Sequence, residues 1–347
     1  MESHLQLKFV TKQREYAVPD NPFSVLDSVS VKELNQLINS LLKDGREDKT
    51  DEEFDFLLLG ELVRSSLADH LVSKNATSEA VLEVEYFVKY PTPTPDDSLA
   101  HDDWVSGVNA TKDWILSGCY DNTVHIWSID GEHKLTIPGH SAPVKAVAWL
   151  KHGRFFVCFS LQTPLMTLSG HTDGVTGVQW IDTNEVVTCG LDCTLRIWDV
   201  ELGGLKSQLN GSKAFLGIAY SPLSKLLVSG SSDRHVRLWD PRTKDGTLVK
   251  CVFSSHNLWI TSLAWSPTDE HHFVSGSMDS IVKLWDTRSP KTPLFDISGH
   301  EDKIFSVDWS LKNYIISGGA DNHVKLYKFE ETRNSTGHGS QIDPMET

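Results

Sequence analysis

Four short stretches decide the fold: LDCTLRIWDV at 191–200, SDRHVRLWDP at 232–241, MDSIVKLWDT at 278–287 and ADNHVKLYKF at 320–329. YDNTVHIWSI at 120–129 is an earlier version of the same pattern. Each holds an Asp, then alternating apolar residues, then an aromatic residue six places after the Asp. Those aromatic residues are Trp127, Trp198, Trp239, Trp285 and Tyr327, and from Trp198 onward they are spaced by 41, 46 and 42 residues. A period of this length ending in Trp-Asp marks the four-stranded blade of a β-propeller. Gly-His precedes several units (Gly139-His140, Gly170-His171, Gly299-His300), with His101 and Ser255-His256 as variants. A mainly β chain built on repeated blades is the expectation.

Within one blade the His, a Ser or Thr, the turn Asp and the strand aromatic residue can form a buried hydrogen-bond chain. The expected sets are His101–Ser117–Asp121–Trp127, His171–Thr188–Asp192–Trp198, His256–Ser275–Asp279–Trp285 and His300–Ser317–Asp321–Tyr327. The unit starting at Asn210-Gly211 has no such His but keeps Ser229, Asp233 and Trp239. Taken singly, these sets resemble a Ser-His-Asp triad. A catalytic set should occur once, whereas these recur with the repeat, so their role is read as structural.

One unit is damaged. Gly139-His140 and VKAVAW at 144–149 open a blade, but Leu161 stands where a turn Asp belongs and Thr167 where the aromatic residue belongs. The next Gly-His ends at His171, 22 residues after Trp149. The start of one blade is joined there to the outer strand of another. Five complete units and a fused remnant, incomplete around 151–168, are expected within a propeller at 100–330.

Residues 1–90 follow a different pattern, that of a ubiquitin-like β-grasp of α/β type. LQLKFVTK and EYAVPD read as a short hairpin. Ser30 and Glu33 form a capping box, with Leu34, Leu37, Ile38 and Leu41 on one helix face. EFDFLLLG (53–60) and VLEVEYFVKY (81–90) read as strands around a short helical turn. PTPTPDDS within 91–99 reads as an extended linker. Residues 331–347 read as a polar tail, and KDGREDKTDEE at 43–53 as a solvated loop.

Composition narrows the functional classes. Net charge is -15, and 19 acidic against 10 basic residues fall in the first hundred. Such a balance opposes broad contact with phosphate backbones and favours protein partners. No Lys/Arg-rich stretch suggests nuclear import, no apolar run suits a membrane helix, and the first residues lack a secretory pattern. Five scattered cysteines suit a reducing compartment. Cys189 and Cys193 lack a second Cys/His pair, so no zinc site or other cofactor is expected. No phosphate loop or metal-protease helix occurs.

The combination of EFDFLLLGELVRSSLADHL, TSEAVLEVEY, HDDWVSGV, SGCYDNTVHIW, RLWDPRTKDG and KLWDTRSPKTPLFD resembles the WD-repeat protein twelve family. The resemblance runs over about 5–329, apart from the fused segment. It implies an NLE-type ubiquitin-like domain and a seven-bladed propeller, two blades of which are largely missing here. A basic inter-blade insert found in many members is missing too. The resemblance also implies a non-catalytic role in large-subunit maturation and rRNA processing, in nucleolus and nucleoplasm. Implied partners are a pescadillo-type protein, a block-of-proliferation-type WD-repeat protein, pre-60S particles and the AAA ATPase midasin. Within Thr77-Ser78-Glu79-Ala80, it assigns Glu79 to completing the coordination of midasin's metal ion. A rival reading rests on Trp239-Asp240-Pro241-Arg242 and Trp285-Asp286-Thr287-Arg288. These are WDxR boxes of the kind that substrate receptors of cullin-type ubiquitin ligases present to an adaptor. The simpler reading pairs each Arg with the adjacent blade.

Overall fold

A computed structural model of the chain describes residues 4–43, 51–76, 81–149, 156–157, 167–242 and 249–329. Elements β1 (His4–Val10), β2 (Phe23–Leu26), α1 (Val31–Lys43), β3 (Phe54–Leu58), β4 (Glu61–Leu62), α2 (Leu67–Ser73) and β5 (Leu82–Val88) form the N-terminal module. Its sheet runs β2-β1-β5-β3-β4, with β1 and β5 parallel and Leu7 opposite Leu82. Alternation along β1 and β5 turns Leu5, Leu7, Phe9, Val84 and Tyr86 inward, where Leu34 and Ile38 of α1 meet them. At the start of α1 the Glu33 carboxylate accepts from both the Ser30 N–H and its hydroxyl, each at 2.8 Å. Mixed α/β architecture of this order is a β-grasp.

The hairpin differs from expectation. Its second strand is β2, pairing His4 with Leu26, and not EYAVPD. Arg14–Tyr16 forms a 3-10 turn instead. The reason lies across the module: the buried Tyr86 hydroxyl donates to the Tyr16 carbonyl at 2.5 Å and accepts from the Val18 N–H at 3.2 Å. Those backbone groups find their partner in a side chain rather than in a ladder.

Beyond the module, five four-stranded antiparallel sheets and a two-stranded remnant are found among the described residues. Blade one spans 105–137, blade three 175–210, blade four 215–254 and blade five 260–298. The remnant, blade two, pairs only Ala148–Trp149 with Phe156–Val157. Blade six takes three strands from 304–329, and its outermost strand comes from the other end of the propeller. That strand is β6 (Pro93–Ala100), which runs antiparallel to His323–Phe329 with Phe329 opposite Pro93 and His323 opposite Ala100.

The segment read as a linker is therefore a ladder strand that ties the two ends of the propeller together. Its prolines are compatible with pairing because β6 is outermost in its sheet, and an edge strand has a free side on which a missing N–H costs nothing.

Candidate functional site: the blade networks and the module contact

The blade networks come together in a fixed chemical order. In blade five the Trp285 indole N–H donates to Ser275 Oγ at 2.8 Å, and Ser275 Oγ lies 2.7 Å from His256 Nε2. His256 Nδ1 lies 2.9 Å from Asp279 Oδ2. An ionised carboxylate only accepts, so Nδ1 carries the proton and Nε2 accepts from the serine hydroxyl. Blade three repeats the chain through Trp198, Thr188, His171 and Asp192 at 2.8, 2.7 and 2.9 Å. In blade six His300 joins Ser317 at 2.6 Å and Asp321 at 2.9 Å, while the buried Tyr327 ring occupies the tryptophan position.

Electrostatics follow from that geometry. Burial alone would raise Asp192 and Asp279. Hydrogen bonds from Thr194, His171 and backbone N–H groups to Asp192, and from His256 and backbone N–H groups to Asp279, hold both at about 2. Ser117, Ser275 and Ser317 are fully buried, and the Ser117 and Ser275 oxygens are engaged by a tryptophan. A nucleophile needs access to substrate, so the arrangement braces the blade.

Three sets depart from the expected quartet. In blade six the chain ends at Ser317, because the buried Tyr327 hydroxyl has no hydrogen-bond partner among the described residues. In blade one, Ser117 meets His101 Nε2 at 2.7 Å and the Trp127 N–H at 3.1 Å. His101 Nδ1 turns to the Leu99 carbonyl at 3.1 Å, not to Asp121. Asp121 accepts from the Thr123 N–H and hydroxyl, and His125 lies 3.7 Å from it. Burial first, and then the neighbouring His125, push His101 down to about 4.

Blade four, which lacks the histidine, keeps the Trp239 to Ser229 bond at 2.8 Å. Arg237 grips Asp233 with two bonds of 2.5 and 3.1 Å and supplies the N–H donors to the turn Asp that a histidine Nδ1–H gives in the other blades. Sequence reasoning passed over Arg237. The signal for it is that a cation stands four places after the turn Asp in four units, at Arg196, Arg237, Lys283 and Lys325, and all of these but Lys283 lie within 4.0 Å of that Asp.

The module rests directly on blades five and six. Leu57 and Leu62 share an apolar cluster with Leu294, Val307 and Trp309. The Leu62 N–H donates to Ser289 Oγ at 3.2 Å, and Arg64 Nη2 donates to the Leu294 carbonyl at 3.4 Å. Arg288 is the centre of the contact. Its guanidinium binds Asp286 through Nη2 at 2.6 Å and Nε at 2.9 Å, reaches Glu85 at 3.0 Å and lies 4.2 Å above the Phe87 ring. Tyr90 packs edge-on against His272 and Phe329.

Neither WDxR arginine pairs with an adjacent blade, as the simpler reading expected. Each binds the Asp two residues before it, because the turn after the strand folds the side chain back. Arg242 stays exposed on Asp240. Arg288 is covered by the module, which leaves one of the two boxes closed to an outside adaptor.

Glu79, with all of Thr77–Ala80, lies outside the described residues. So do most of the damaged stretch at 151–168 and the tail at 331–347. Among the described residues no three or more His, Cys, Asp or Glu side chains converge to hold a metal ion, and no helix is long and apolar enough to cross a membrane.

Comparison with known proteins follows the same division. Residues 5–71 match the NLE (NUC135) domain, and six segments between 94 and 328 match the WD domain, G-beta repeat. The "Ribosome biogenesis protein WDR12 homolog" of Ixodes scapularis is 44% identical over 94% of this chain and 99% of its own length. The chain belongs to the WDR12 homolog family. Its Culex quinquefasciatus relative is 41% identical over 94% of this chain and 96% of its own length. A solved structure, "Crystal structure of WD40 beta propeller domain of Doa1", is similar in fold with TM-score 0.58 at 18% identity, covering 70% of this chain and 99% of that one.

WDR12 homologs are ribosome biogenesis proteins by name, of a scaffold family that is generally non-catalytic. The alignment with the Ixodes relative runs over 419 positions, against 347 residues in this chain, so at least 72 of its positions have no counterpart here. That shortfall agrees with the fused second unit.

Proposed function

We propose that this chain is a non-catalytic assembly factor for the large ribosomal subunit, acting in pre-60S maturation and rRNA processing. In this reading the propeller is a scaffold for a pescadillo-type and a block-of-proliferation-type protein in nucleolus and nucleoplasm. The N-terminal module is the part that midasin engages to release the factor. The observation that carries the reading is the pairing of an NLE module with WD repeats in one family-matched chain. The acidic net charge favours protein partners over naked RNA.

Glu79 has the chemistry for the midasin contact. A hard carboxylate oxygen at about 2.0–2.1 Å completes an octahedral Mg²⁺-type site that has one open position. Affinity capture with the native-length chain tests the scheme: pescadillo-type, block-of-proliferation-type and midasin proteins are expected to co-purify. Glu79→Ala is expected to lose midasin and keep the other two. Metal-dependent midasin capture undiminished by Glu79→Ala would overturn the role of Glu79. Recovery of a cullin adaptor in place of all three would overturn the assembly-factor reading.

A further inference from the structure

The innermost strand of each unit starts on one pattern, with apolar residues at its first and fourth positions and, in most units, a large residue at its sixth. In four blades the first and fourth positions are buried between neighbours: Val105 and Val108, Phe215 and Ile218, Ile260 and Leu263, Ile304 and Val307. Blade three breaks the rule. Val175, Val178 and Trp180 are 55%, 64% and 57% exposed.

The opposite side of this gap is the remnant. Its Val144 is buried against Leu116 and Val124 of blade one, as the first position of a complete blade would be. Ala146 and Ala148, on its other side, are exposed.

These two surfaces are halves of an interface that the fold builds elsewhere. The Trp149 indole donates to the Asn109 carbonyl of blade one at 3.2 Å, and the Trp265 indole donates to the Ala219 carbonyl of blade four at 3.2 Å. In both, the sixth-position tryptophan reaches the fifth-position carbonyl of the preceding unit. Trp309 is buried at the same place without such a bond. By this register the partner of Trp180 is the Ala148 carbonyl. The third position agrees: a Cβ on Gly107 would sit 3.3 Å from the Ala146 backbone, so third positions of neighbouring units face each other. Ala146 would then face Gly177. Small residues at 146 and 148 leave room for the valines and the indole. Within one chain the two surfaces do not meet, since Trp180 and both valines remain open.

We propose that a second copy of this chain fills the gap head to tail. The Val175–Val178–Trp180 surface of each copy packs on the Ala146–Ala148 side of the other's remnant, giving two equal contacts about a twofold axis. A heterologous contact of this kind closes only if both halves are supplied by both copies. Continuity with the blade-to-blade interface already present at the other junctions identifies the occupant.

Sedimentation velocity of the full chain from about 1 to about 100 µM reads the association, because a dimer's population depends on protomer concentration. A reversible monomer–dimer equilibrium is expected. Val178→Glu and Ala148→Glu both change exposed residues, so circular dichroism and melting of each variant should match the parent at concentrations where the parent is monomeric, while each alone should sediment as monomer throughout. Mixing the two variants is decisive. One contact in the mixed pair carries both glutamates, and the other is unaltered, so dimer should reappear. A parent that stays monomeric throughout, a dimer indifferent to Val178→Glu, or variants that fail to complement each other would overturn the proposal.

Discussion

Arg288 Nη1 donates to Glu85 Oε1 at 3.0 Å, joining blade five to the last strand of the N-terminal module across more than two hundred residues of sequence. The same guanidinium satisfies the fully buried Asp286 carboxylate, which also lies 3.5 Å from His272. Burial works against charge on Asp286, but His272 and Arg288 together hold its carboxyl well below the usual carboxylate range. The module is thus fixed to the propeller by a partly buried ion pair and an apolar cluster, and β6 follows its last strand after four residues.

Arg288→Ala should therefore do two things at once. It strips a buried carboxylate of its main partner, which costs about 3 kcal/mol of stability. It also removes the only described charge contact between Glu85 and the propeller, so trypsin should cut faster at Lys89. Urea denaturation and the half-life of that cleavage measure the two effects. Arg288→Lys should restore little, because an ammonium cannot serve Asp286 through a planar fork and reach Glu85 together.

Stability should fall in acid through the blade carboxylates. Asp192 and Asp279 sit at about 2 in the folded chain, against an ordinary value of 3.8. A group depressed on folding contributes fully above its unfolded value, and the contribution is lost as pH falls toward its folded value. The window is therefore pH 4 down to about 2, worth on the order of 1–2 kcal/mol for each carboxylate. Denaturation midpoints across that range should drop. Asp279→Asn should be less stable at neutral pH and show a shallower decline.

Removing the hydroxyl at the centre of a blade chain should be costly. Ser275→Ala leaves the Trp285 N–H and His256 Nε2 without their shared partner in a site closed to water, a loss of about 2–3 kcal/mol. Arg237→Ala in blade four should cost about 1–2 kcal/mol, because the Trp239 to Ser229 bond survives and Asp233 keeps the His235 N–H and the Ser212 hydroxyl. Equal losses for the two variants in urea would contradict this ranking.

These networks show what the sequence makes legible. The Trp198, Trp239 and Trp285 blades were readable because the turn Asp, the Ser or Thr and the aromatic residue sit at fixed offsets along adjacent strands. Local offsets also exposed the fused unit at Leu161 and Thr167, and the alternation of β5. Three things were not readable. Pro93 and Pro95 suggested a linker because pairing to Phe329 and Tyr327 depends on closure of a ring, not on local pattern. EYAVPD alternates like a strand, yet Tyr86, distant in sequence, takes its backbone. Arg288 looked like a motif residue whose partner should be near, whereas Glu85 is supplied by another folding unit.

The last prediction concerns the gap itself. Grafting the segment of the Ixodes relative that has no counterpart here between Trp149 and Val175 should complete the missing blades. Val175, Val178 and Trp180 would then be enclosed as Ile260, Leu263 and Trp265 are in blade five. Burying these three side chains is worth about 5 kcal/mol at 1.5–3 kcal/mol for each large apolar residue. The grafted chain should melt higher than the parent at concentrations where the parent is monomeric. Acrylamide should quench less of its tryptophan emission, and replacing Trp180 by Phe should remove most of that difference. Trp180 is the most informative probe because it alone among the sixth-position tryptophans is exposed in the parent by more than half. If the grafted chain melted no higher and left Trp180 open to quencher, the exposed surface of blade three would not be the scar of a lost neighbour. Its exposure would then be a property of the blade itself.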